Sequence, residues 1–407
     1  MIRDMRCAEL KERFSGAFGE PAGPFVLASA PGRLELAGNH TDHQGGRVVS
    51  TAIGHRAWAL CAENGRNEIR LCMEGFGDAC ISLSDEAWTR PVPEERGCSV
   101  AIARGMAALF ARRGGNVRGF DVVTTSSIPV GFGVSSSAAF EMLMGACVEG
   151  LFGCSAGEVD RVALALEGME AERSYFGKMS GAQDQITSAV GGVVSMDFAP
   201  AVPDVRQIAF DVDACDYVPC LIDSRCDHSL YNDEYDAVPG DMFAVARLFG
   251  CERLGEVGFE DLLARLDEVR AEVGDAVALR ALHFFAETRR VGWQCDCLEK
   301  GDFEGFLAQA RLSGASSAQY LANVSPRADG TGWYQPAMVI LALCAQLLGK
   351  RGAWRIHGGG FGGSVLAFVP RDEADSFEQA MNACLGYEAC RFVSLGARGV
   401  EWERLAQ

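Results

Sequence analysis

A stretch rich in glycine and serine, residues 127–139 (SIPVGFGVSSSAA), has the composition of an anion-binding loop. It lies between an apolar run that predicts a strand, residues 120–125, and a run that predicts a helix, residues 138–151. Glycine allows positive φ and close approach of a ligand, while serine hydroxyls and free N–H groups at a helix start attract phosphate. The candidate phosphate-binding residues are Gly131, Gly133, Ser135, Ser136 and Ser137.

The same loop can also be a capped turn that binds nothing, because serines frequently cap the first turn of a helix. Its sequence excludes two common nucleotide-binding motifs. No Gly-Lys-Ser or Gly-Lys-Thr follows, as a Walker loop requires, and the spacing of Gly131 and Gly133 does not match the dinucleotide fingerprint. The loop alone therefore leaves open whether phosphate binds there.

A second polar loop, residues 38–46 (GNHTDHQGG), interrupts a series of apolar, strand-like runs between residues 24 and 62. Polar loops between buried strands frequently carry binding residues. The alternative is a self-contained turn in which Thr41 and Asp42 bond to neighbouring backbone groups. This loop is the second candidate for a functional site.

Composition limits the class of protein and of partner. A chain of 407 residues is long for one hydrophobic core and favours two domains. A formal net charge of −18 argues against binding to nucleic acid or to an anionic membrane. The 16 cysteines are scattered without a Cys-x-x-Cys pair, which favours buried thiols in a reducing cytosol over zinc or disulfides.

Neither a signal sequence nor a membrane span is expected. The N-terminal residues alternate charged and apolar side chains without an apolar signal core, and the longest apolar run, residues 337–345, is too short to cross a bilayer. We therefore expect a cytoplasmic protein.

Several segments, in the same order along the chain, resemble the motifs of the GHMP kinases and, within that family, of the galactokinases. Residues 129–138 (PVGFGVSSSA) are similar to the family's phosphate loop, and residues 30–46 (APGRLELAGNHTDHQGG) to the galactokinase sugar signature. Residues 171–185 (AERSYFGKMSGAQDQ), 223–235 (DSRCDHSLYNDEY) and 358–363 (GGGFGG) resemble three further runs. The similarity covers nearly the whole chain.

The resemblance implies a fold. GHMP kinases are α+β proteins of two domains, the first like ribosomal protein S5 and the second ferredoxin-like, with largely antiparallel sheets and an active site in the cleft between the domains. A change in composition near residue 200 places the predicted division between an N-terminal domain, residues 1–205, and a C-terminal domain, residues 206–407.

The resemblance also implies a reaction, the transfer of the γ-phosphoryl group of ATP to a sugar hydroxyl, with Mg²⁺ as cofactor. Asp184 matches the family's catalytic base, and Arg33 would keep Asp184 ionised and help to neutralise the γ-phosphate. Ser137 and Glu172 match the residues that hold Mg²⁺, an ion that needs few protein ligands beside the phosphates. The alternatives are a solvated side chain for Glu172 and a helix N-cap for Asp184.

Four residues match the family's sugar contacts, and a fifth position departs from the family pattern. Galactokinases have glutamate where this chain has Asn39. A glutamate would bond the 6-hydroxyl and repel a C6 carboxylate, whereas asparagine bonds a hydroxyl without that repulsion. We expect galactose as the substrate and leave galacturonate, N-acetylgalactosamine and arabinose open. The expected sugar contacts are Asn39, His40, Asp42, Asp184 and Tyr235.

Two further departures keep a non-catalytic function open. Asp227 falls where a basic residue is common in galactokinases, and Ser99 and Ile102 fall where aromatic residues usually begin the helix near the adenine. A galactose sensor on the same fold is therefore the third hypothesis, after galactokinase and a kinase for a related sugar. The expected partners are the sugar and ATP, and the expected assembly is a monomer, with a dimer left open.

Overall fold

The structure is a computed structural model, and it describes residues 2–129, 131–153, 159–211, 214–226, 231–325 and 334–406. Asp227 lies outside these residues. The described part of the chain forms twelve helices and twelve strands, and the strands make two sheets. The predicted α+β class is confirmed.

The helices are α1 (Ile2–Phe18), α2 (Ser99–Arg112), α3 (Ser136–Phe152), α4 (Arg161–Ala171), α5 (Gln183–Val190), α6 (Asn232–Leu248), α7 (Phe259–Ala264), α8 (Leu266–Val273), α9 (Asp275–Glu299), α10 (Phe303–Ser316), α11 (Pro336–Leu348) and α12 (Ala374–Leu385). The strands are β1 (Val26–Ala37), β2 (Arg47–Glu63), β3 (Glu68–Met73), β4 (Gly77–Ser82), β5 (Phe120–Ser126), β6 (Val193–Asp197), β7 (Asp204–Ile208), β8 (Tyr217–Asp223), β9 (Ala353–Ile356), β10 (Ser364–Pro370), β11 (Cys390–Phe392) and β12 (Glu401–Arg404).

The larger sheet is built around β1 and β2. Its strands follow the order β12-β1-β2-β5-β3-β4, and β6 and β7 extend it from β2. All pairs are antiparallel except β3 with β5. The strand-like runs between residues 24 and 62 thus form two long strands instead of four short ones, because β1 continues through an irregularity between Pro31 and Arg33.

The smaller sheet has the order β11-β8-β10-β9, and all its pairs are antiparallel. The helices α10, α11 and α12 lie against its strands. Its core contains apolar side chains of β8, β9 and β10, together with the buried face of α11. A separate cluster joins α6 and α9 through Val238, Met242, Val245 and Phe284.

The last strand of the chain belongs to the larger sheet, whereas the three strands before it belong to the smaller one. β12 pairs with β1, placing Arg404 opposite Val26, so the last strand belongs to the sheet of the N-terminal half. The main core likewise contains side chains from both halves, among them Leu34 from β1 and Phe368 from β10. The division at residue 205 remains a prediction.

The helices that the structure describes include none with the length and apolar content needed to cross a bilayer. The cysteines within the described ranges are free, and Cys61, Cys147, Cys220 and Cys344 are among those that are buried.

Candidate active site

The loop between β5 and α3 has its carbonyls bound from one side. The hydroxyl of Ser364 donates to the carbonyl of Phe132 over 2.8 Å. Arg33 binds the carbonyls of the next two residues. Its guanidinium donates to the carbonyl of Gly133, and its main-chain N–H donates to the carbonyl of Val134 over 3.0 Å. In a trans peptide the N–H points opposite to the C=O. The N–H groups that therefore point the other way are those of Gly133, Val134 and Ser135.

The start of α3 adds further N–H groups to this set. α3 begins at Ser136, which is exposed, and the first N–H groups of a helix have no partner within it. The loop reaches this geometry through positive φ at Gly131 (86°), Gly133 (68°) and Ser135 (57°). A Cβ on Gly131 would meet nothing within 4 Å, so the space above the loop is open. The arrangement is that of an anion-binding loop.

Arg33 and Asp184 form the central ion pair of the site. Nε of Arg33 donates to one carboxylate oxygen of Asp184 over 2.5 Å, and Nη2 donates to the other over 2.6 Å. Ser135, which occupies the cap position of α3 without capping it, instead donates its hydroxyl to Asp184 over 2.6 Å. Asp184 thus lies directly beside the anion-binding loop and pairs with Arg33, the partner that the sequence predicted for it.

Asp184 is held in its ionised form. Burial alone would raise the pKa of its carboxyl, but the charge and hydrogen bonds of Arg33, with the Ser135 hydroxyl, hold that pKa below its ordinary value. Asp184 is the second residue of α5 and has no cap bond to that helix, so the N-cap alternative does not apply. Its side chain is 26% exposed, against 9% for Arg33, so the carboxylate remains accessible.

Hydrogen bonds of Thr41 and of His40 fix the polar turn at residues 38–46. His40 itself has a positive φ of 57°. Thr41 is a self-contained turn residue, because its hydroxyl donates to the carbonyls of Gly38 and Arg47. His40 donates through Nε2 to the carbonyl of Gly359 over 2.8 Å, and its Nδ1 lies 3.4 Å from Nε2 of His43. Burial lowers the pKa of His40 to about 3, so this ring stays neutral.

Tyr235, from α6, closes the site from the C-terminal half. Its ring centroid lies 5.4 Å from that of His40, and the side chain is 37% exposed. A Cβ on Gly359 would lie 2.0 Å from the Tyr235 ring, so this position of the glycine-rich motif requires glycine. The predicted sugar-contact residue and the third motif thus meet at one surface.

Asp42 is a second carboxylate of the site with a different electrostatic environment. Burial, assisted by the charge of Asp184, raises the pKa of Asp42 to about 6. The loop before α5 approaches it closely, because a Cβ on Gly181 would lie 1.9 Å from its Oδ2. One carboxylate of the pair is therefore firmly ionised, and the other titrates near neutral pH.

Asn39 does not lie where the sequence predicted a direct sugar contact. The residue is fully buried, and its amide is bonded to protein on both sides. Nδ2 donates to the carbonyl of Gly358 and to Glu35 over 3.2 Å. Oδ1 accepts from Asn323 over 2.8 Å and from Ser317 over 3.2 Å. A buried amide must be satisfied, and here protein groups satisfy it, so Asn39 supports the turn from beneath.

Helix α9 holds the same turn through two buried side chains. Nε2 of His283 donates to the carbonyl of Asn39 over 3.0 Å, and Glu287 accepts from the N–H of Gly38 over 3.3 Å. Both side chains are fully buried. The turn of the N-terminal half is thus positioned by the C-terminal half.

A buried ion pair lies beneath the turn and the anion-binding loop. Glu35 of β1 accepts from Arg355 of β9 over 2.6 Å. The N–H of Glu35 donates to Nε2 of His357 over 3.2 Å, which assigns the ring proton to Nδ1, on the side of Gly133. These residues lie outside the residues that the motifs predicted for the site. A charged residue inside an apolar strand, as in Leu-Glu-Leu or Trp-Arg-Ile, is nevertheless a sequence signal of such a pair.

Glu172 is buried and not solvated. It lies in a π-helical turn after α4, is 2% exposed, and pairs with the ammonium of Lys178 at 3.2 Å. Its other oxygen accepts from Gln185 over 3.1 Å and from Ser180. One carboxylate and the hydroxyl of Ser137 suit Mg²⁺ that arrives with phosphates, provided that Lys178 moves away. Within the described ranges, no cluster of three His, Cys, Asp or Glu side chains could hold a metal by itself.

The start of α2, where the resemblance predicted the adenine, offers little exposed surface. Ser99 begins α2 and is half-buried, but Ile102 is 2% exposed and belongs to the main core. Ile102, which falls where galactokinases usually have an aromatic residue, therefore offers no surface on which a base could lie.

Glu141, on α3, is a buried acid next to Glu172. The side-chain N–H₂ of Gln185 bridges the two, over 2.8 Å to Glu141 and 3.1 Å to Glu172. Burial, and then the charge of Glu172, raise the pKa of Glu141 well above its ordinary value. Glu141 Oε1 and Gln185 Oε1 are buried without a protein partner, so a proton on Glu141 supplies a donor among acceptors.

Comparison with known proteins agrees with this geometry. Residues 12–63 match the galactokinase galactose-binding signature, and residues 101–192 match the GHMP kinases N terminal domain. The structure of Lactococcus lactis galactokinase complexed with galactose is 23% identical, with a TM-score of 0.81 over 97% of this chain and 99% of that one.

Two further structures with this fold are less similar. The D-glycero-D-manno-heptose 1-phosphate kinase from Bacteroides thetaiotaomicron is 14% identical, with a TM-score of 0.62 over 94% of this chain and 100% of that one. L. major mevalonate kinase in complex with R-mevalonate is also 14% identical, with a TM-score of 0.64 over 93% and 99%. These matches confirm the resemblance to the GHMP kinases and to galactokinase, and they show that the chain has the GHMP kinase fold.

We predict that Glu141→Gln gains stability relative to the wild type as pH rises. The unfolded carboxyl ionises above about pH 4.3 while the folded one keeps its proton, so Glu141 lowers the free energy of unfolding with increasing pH. Glutamine removes that dependence. Urea unfolding between pH 5.5 and 8 should show a difference that grows by up to about 1.4 kcal/mol per pH unit.

The matched control is Glu149→Gln on the same helix, which loses the ion pair with Arg113 and should be destabilised instead. A difference between Glu141→Gln and wild type that stays constant with pH would contradict a protonated Glu141.

Proposed function

We propose that this chain, which has the fold of the GHMP kinases, is an ATP-dependent sugar kinase that converts D-galactose and ATP to galactose 1-phosphate and ADP. One observation carries the proposal. Arg33 binds the carbonyls of the anion-binding loop and both oxygens of Asp184, so a phosphate site and an ionised acceptor for a hydroxyl proton form one hydrogen-bonded unit. The match of residues 12–63 to a galactose-binding signature supports the sugar.

The phosphates of ATP would lie on the N–H groups of the loop and on the start of α3, where the helix dipole favours negative charge. Ser137 and Glu172 would hold Mg²⁺, which when bound neutralises charge on the phosphate oxygens. The residues that would contact the nucleotide phosphates are Gly131, Gly133, Ser135, Ser136 and Ser137.

The sugar would lie between the polar turn and Tyr235. Asp42, Asp184 and Tyr235 have accessible polar groups there, and the phenol of Tyr235 stays protonated because burial raises its pKa to about 12. Asn39 and His40 lie beneath them with their polar atoms bonded to protein. We therefore propose that these two residues shape the sugar site from below, while the first three bond the hydroxyls.

Asp184 would orient the anomeric hydroxyl towards the γ-phosphorus and accept its proton. The bond from the sugar oxygen to phosphorus forms as the bond from phosphorus to the leaving oxygen of ADP breaks. A carboxylate with a lowered pKa is a weak base, so its main contribution is orientation and charge, and the proton transfer follows bond formation.

The proposal is tested by an ADP-release assay with MgATP across galactose, glucose, N-acetylgalactosamine, galacturonate and arabinose. Phosphorus NMR of the product identifies the phosphorylated position. We expect turnover with galactose and a 1-phosphate product. Turnover with another sugar alone would replace galactose as the substrate. No turnover with any sugar, while galactose still binds, would contradict the kinase and favour a sensor.

We predict that Asp184→Asn lowers kcat by about 10³-fold or more, because the amide neither carries the charge nor accepts the proton. Asparagine also turns an N–H₂ group towards the Arg33 guanidinium. Galactose binding, measured by calorimetry, should persist.

Asp197→Asn is the matched control, since Asp197 pairs with Arg47 on the surface at 2.8 Å, away from the site. Near-normal turnover of Asp184→Asn would sink the assignment of Asp184.

A further inference from the structure

Arg33 is a fixed charge within the site. Its guanidinium donates to both oxygens of Asp184 and to the carbonyl of Gly133, and its main-chain N–H binds Val134. The side chain is 9% exposed. A cation bound in this way sets the electrostatics of the site but cannot follow a group that moves, whereas phosphoryl transfer moves negative charge from donor to acceptor.

Lys178 is a second, more exposed cation near the site. Its side chain is 53% exposed, and its ammonium has one recorded ion pair among the described residues, to Glu172 at 3.2 Å. An ammonium has three N–H donors, so this contact leaves donors for a ligand.

Hydrogen bonds hold the backbone at Lys178, while half of its side chain is exposed to solvent. The N–H groups of Gly177 and Lys178 both donate to the carbonyl of Glu172, over 2.9 and 3.1 Å. Gly177 has a positive φ of 91°, and Arg173 donates to the carbonyl of Ser180, which closes the loop on itself. The ammonium is therefore carried by a flexible side chain whose backbone is fixed next to the proposed metal-binding carboxylate.

Glu172 connects Lys178 to the neighbourhood of Asp184, because it pairs with the ammonium of Lys178 at 3.2 Å and accepts over 3.1 Å from Gln185, the residue after Asp184. Burial would lower the pKa of Lys178, but the charges of Glu172, Asp184 and Tyr235 outweigh it and raise that pKa. In the C-terminal half, Arg225 is less available as a cation for the site, because its guanidinium lies 3.8 Å from the ring centroid of Tyr387 and is engaged there.

Residue usage points to the same position. The chain has 37 basic residues, of which four are lysines: Lys11, Lys178, Lys300 and Lys350. The other three are exposed and lie outside the site. In a chain that otherwise uses arginine, a lysine here supplies a compact charge on a flexible stem, which arginine does not.

We propose that Lys178 is a further catalytic residue, which leaves Glu172 when substrates bind and contacts the transferring phosphoryl group. The inference rests on the proposed function. As the sugar oxygen bonds to phosphorus and the bond to ADP breaks, Lys178 follows the phosphoryl oxygens, and the hydroxyl proton then passes to Asp184.

The test compares Lys178→Met and Lys178→Arg with wild type, using Lys350→Met as the control. Removing a donor to the developing charge should lower kcat by about 100-fold, with the KM for the sugar changed less than about threefold. Lys178→Arg keeps the charge, so its kcat should be at least about tenfold higher than that of Lys178→Met. Thermal unfolding checks that each variant is folded.

A second readout does not depend on turnover. Acetylation of the wild type by an N-hydroxysuccinimide ester, quantified at each lysine by mass spectrometry, should fall at Lys178 when galactose, Mg²⁺ and a non-hydrolysable ATP analogue are added. The other three lysines serve as internal references.

The outcomes separate the two proposals. If the wild type turns over and Lys178→Met keeps the same kcat, the inference about Lys178 is overturned and the proposed function stands. The same holds if the wild type turns over but acetylation of Lys178 does not change when the ligands are added. Absence of wild-type turnover overturns the proposed function and this inference with it.

Discussion

The contacts of Arg33 determine the geometry of the site. One side chain holds the backbone of the anion-binding loop, through Gly133, and the carboxylate of Asp184, while its main chain holds Val134. The N–H groups of the loop point outward because its carbonyls are bound inward. Asp184 stays ionised because the guanidinium compensates for its burial. The loop proposed to bind phosphate and the carboxylate proposed to activate a hydroxyl therefore share a single support, and removing one partner of such a pair costs about 3–5 kcal/mol.

The C-terminal half completes this support. Ser364 binds the anion-binding loop, and Arg355, His283 and Glu287 hold β1 and the polar turn from below. These contacts join residues more than 200 positions apart, so neither half by itself sets the distance between the phosphate loop and the sugar turn. Close approach at Gly359, where Tyr235 leaves no space for a Cβ, extends the same constraint to the sugar side.

The sequence predicted the parts of the site that lie in continuous motifs. Loop composition predicted an anion-binding loop between β5 and α3, and the resemblance predicted the pairing of Asp184 with Arg33, which the structure contains. Burial could not be predicted from those motifs. Asn39 and His40 stand in a motif that predicts sugar contacts, yet many of their polar atoms are bonded to groups from residues 283–359, which no local pattern reveals. Lys178 carried a signal in the rarity of lysine, but its pairing with Glu172 required the fold of the loop after α4.

The most direct test of this account is the affinity of Arg33→Met for a non-hydrolysable ATP analogue with Mg²⁺, measured by calorimetry beside Arg47→Met, the surface arginine paired with Asp197. If Arg33 organises the anion-binding loop as well as Asp184, nucleotide affinity should fall by at least about tenfold, a loss of about 1.4 kcal/mol, while Arg47→Met binds normally. Wild-type nucleotide affinity in a folded Arg33→Met protein would contradict the claim that one residue supports both halves of the reaction.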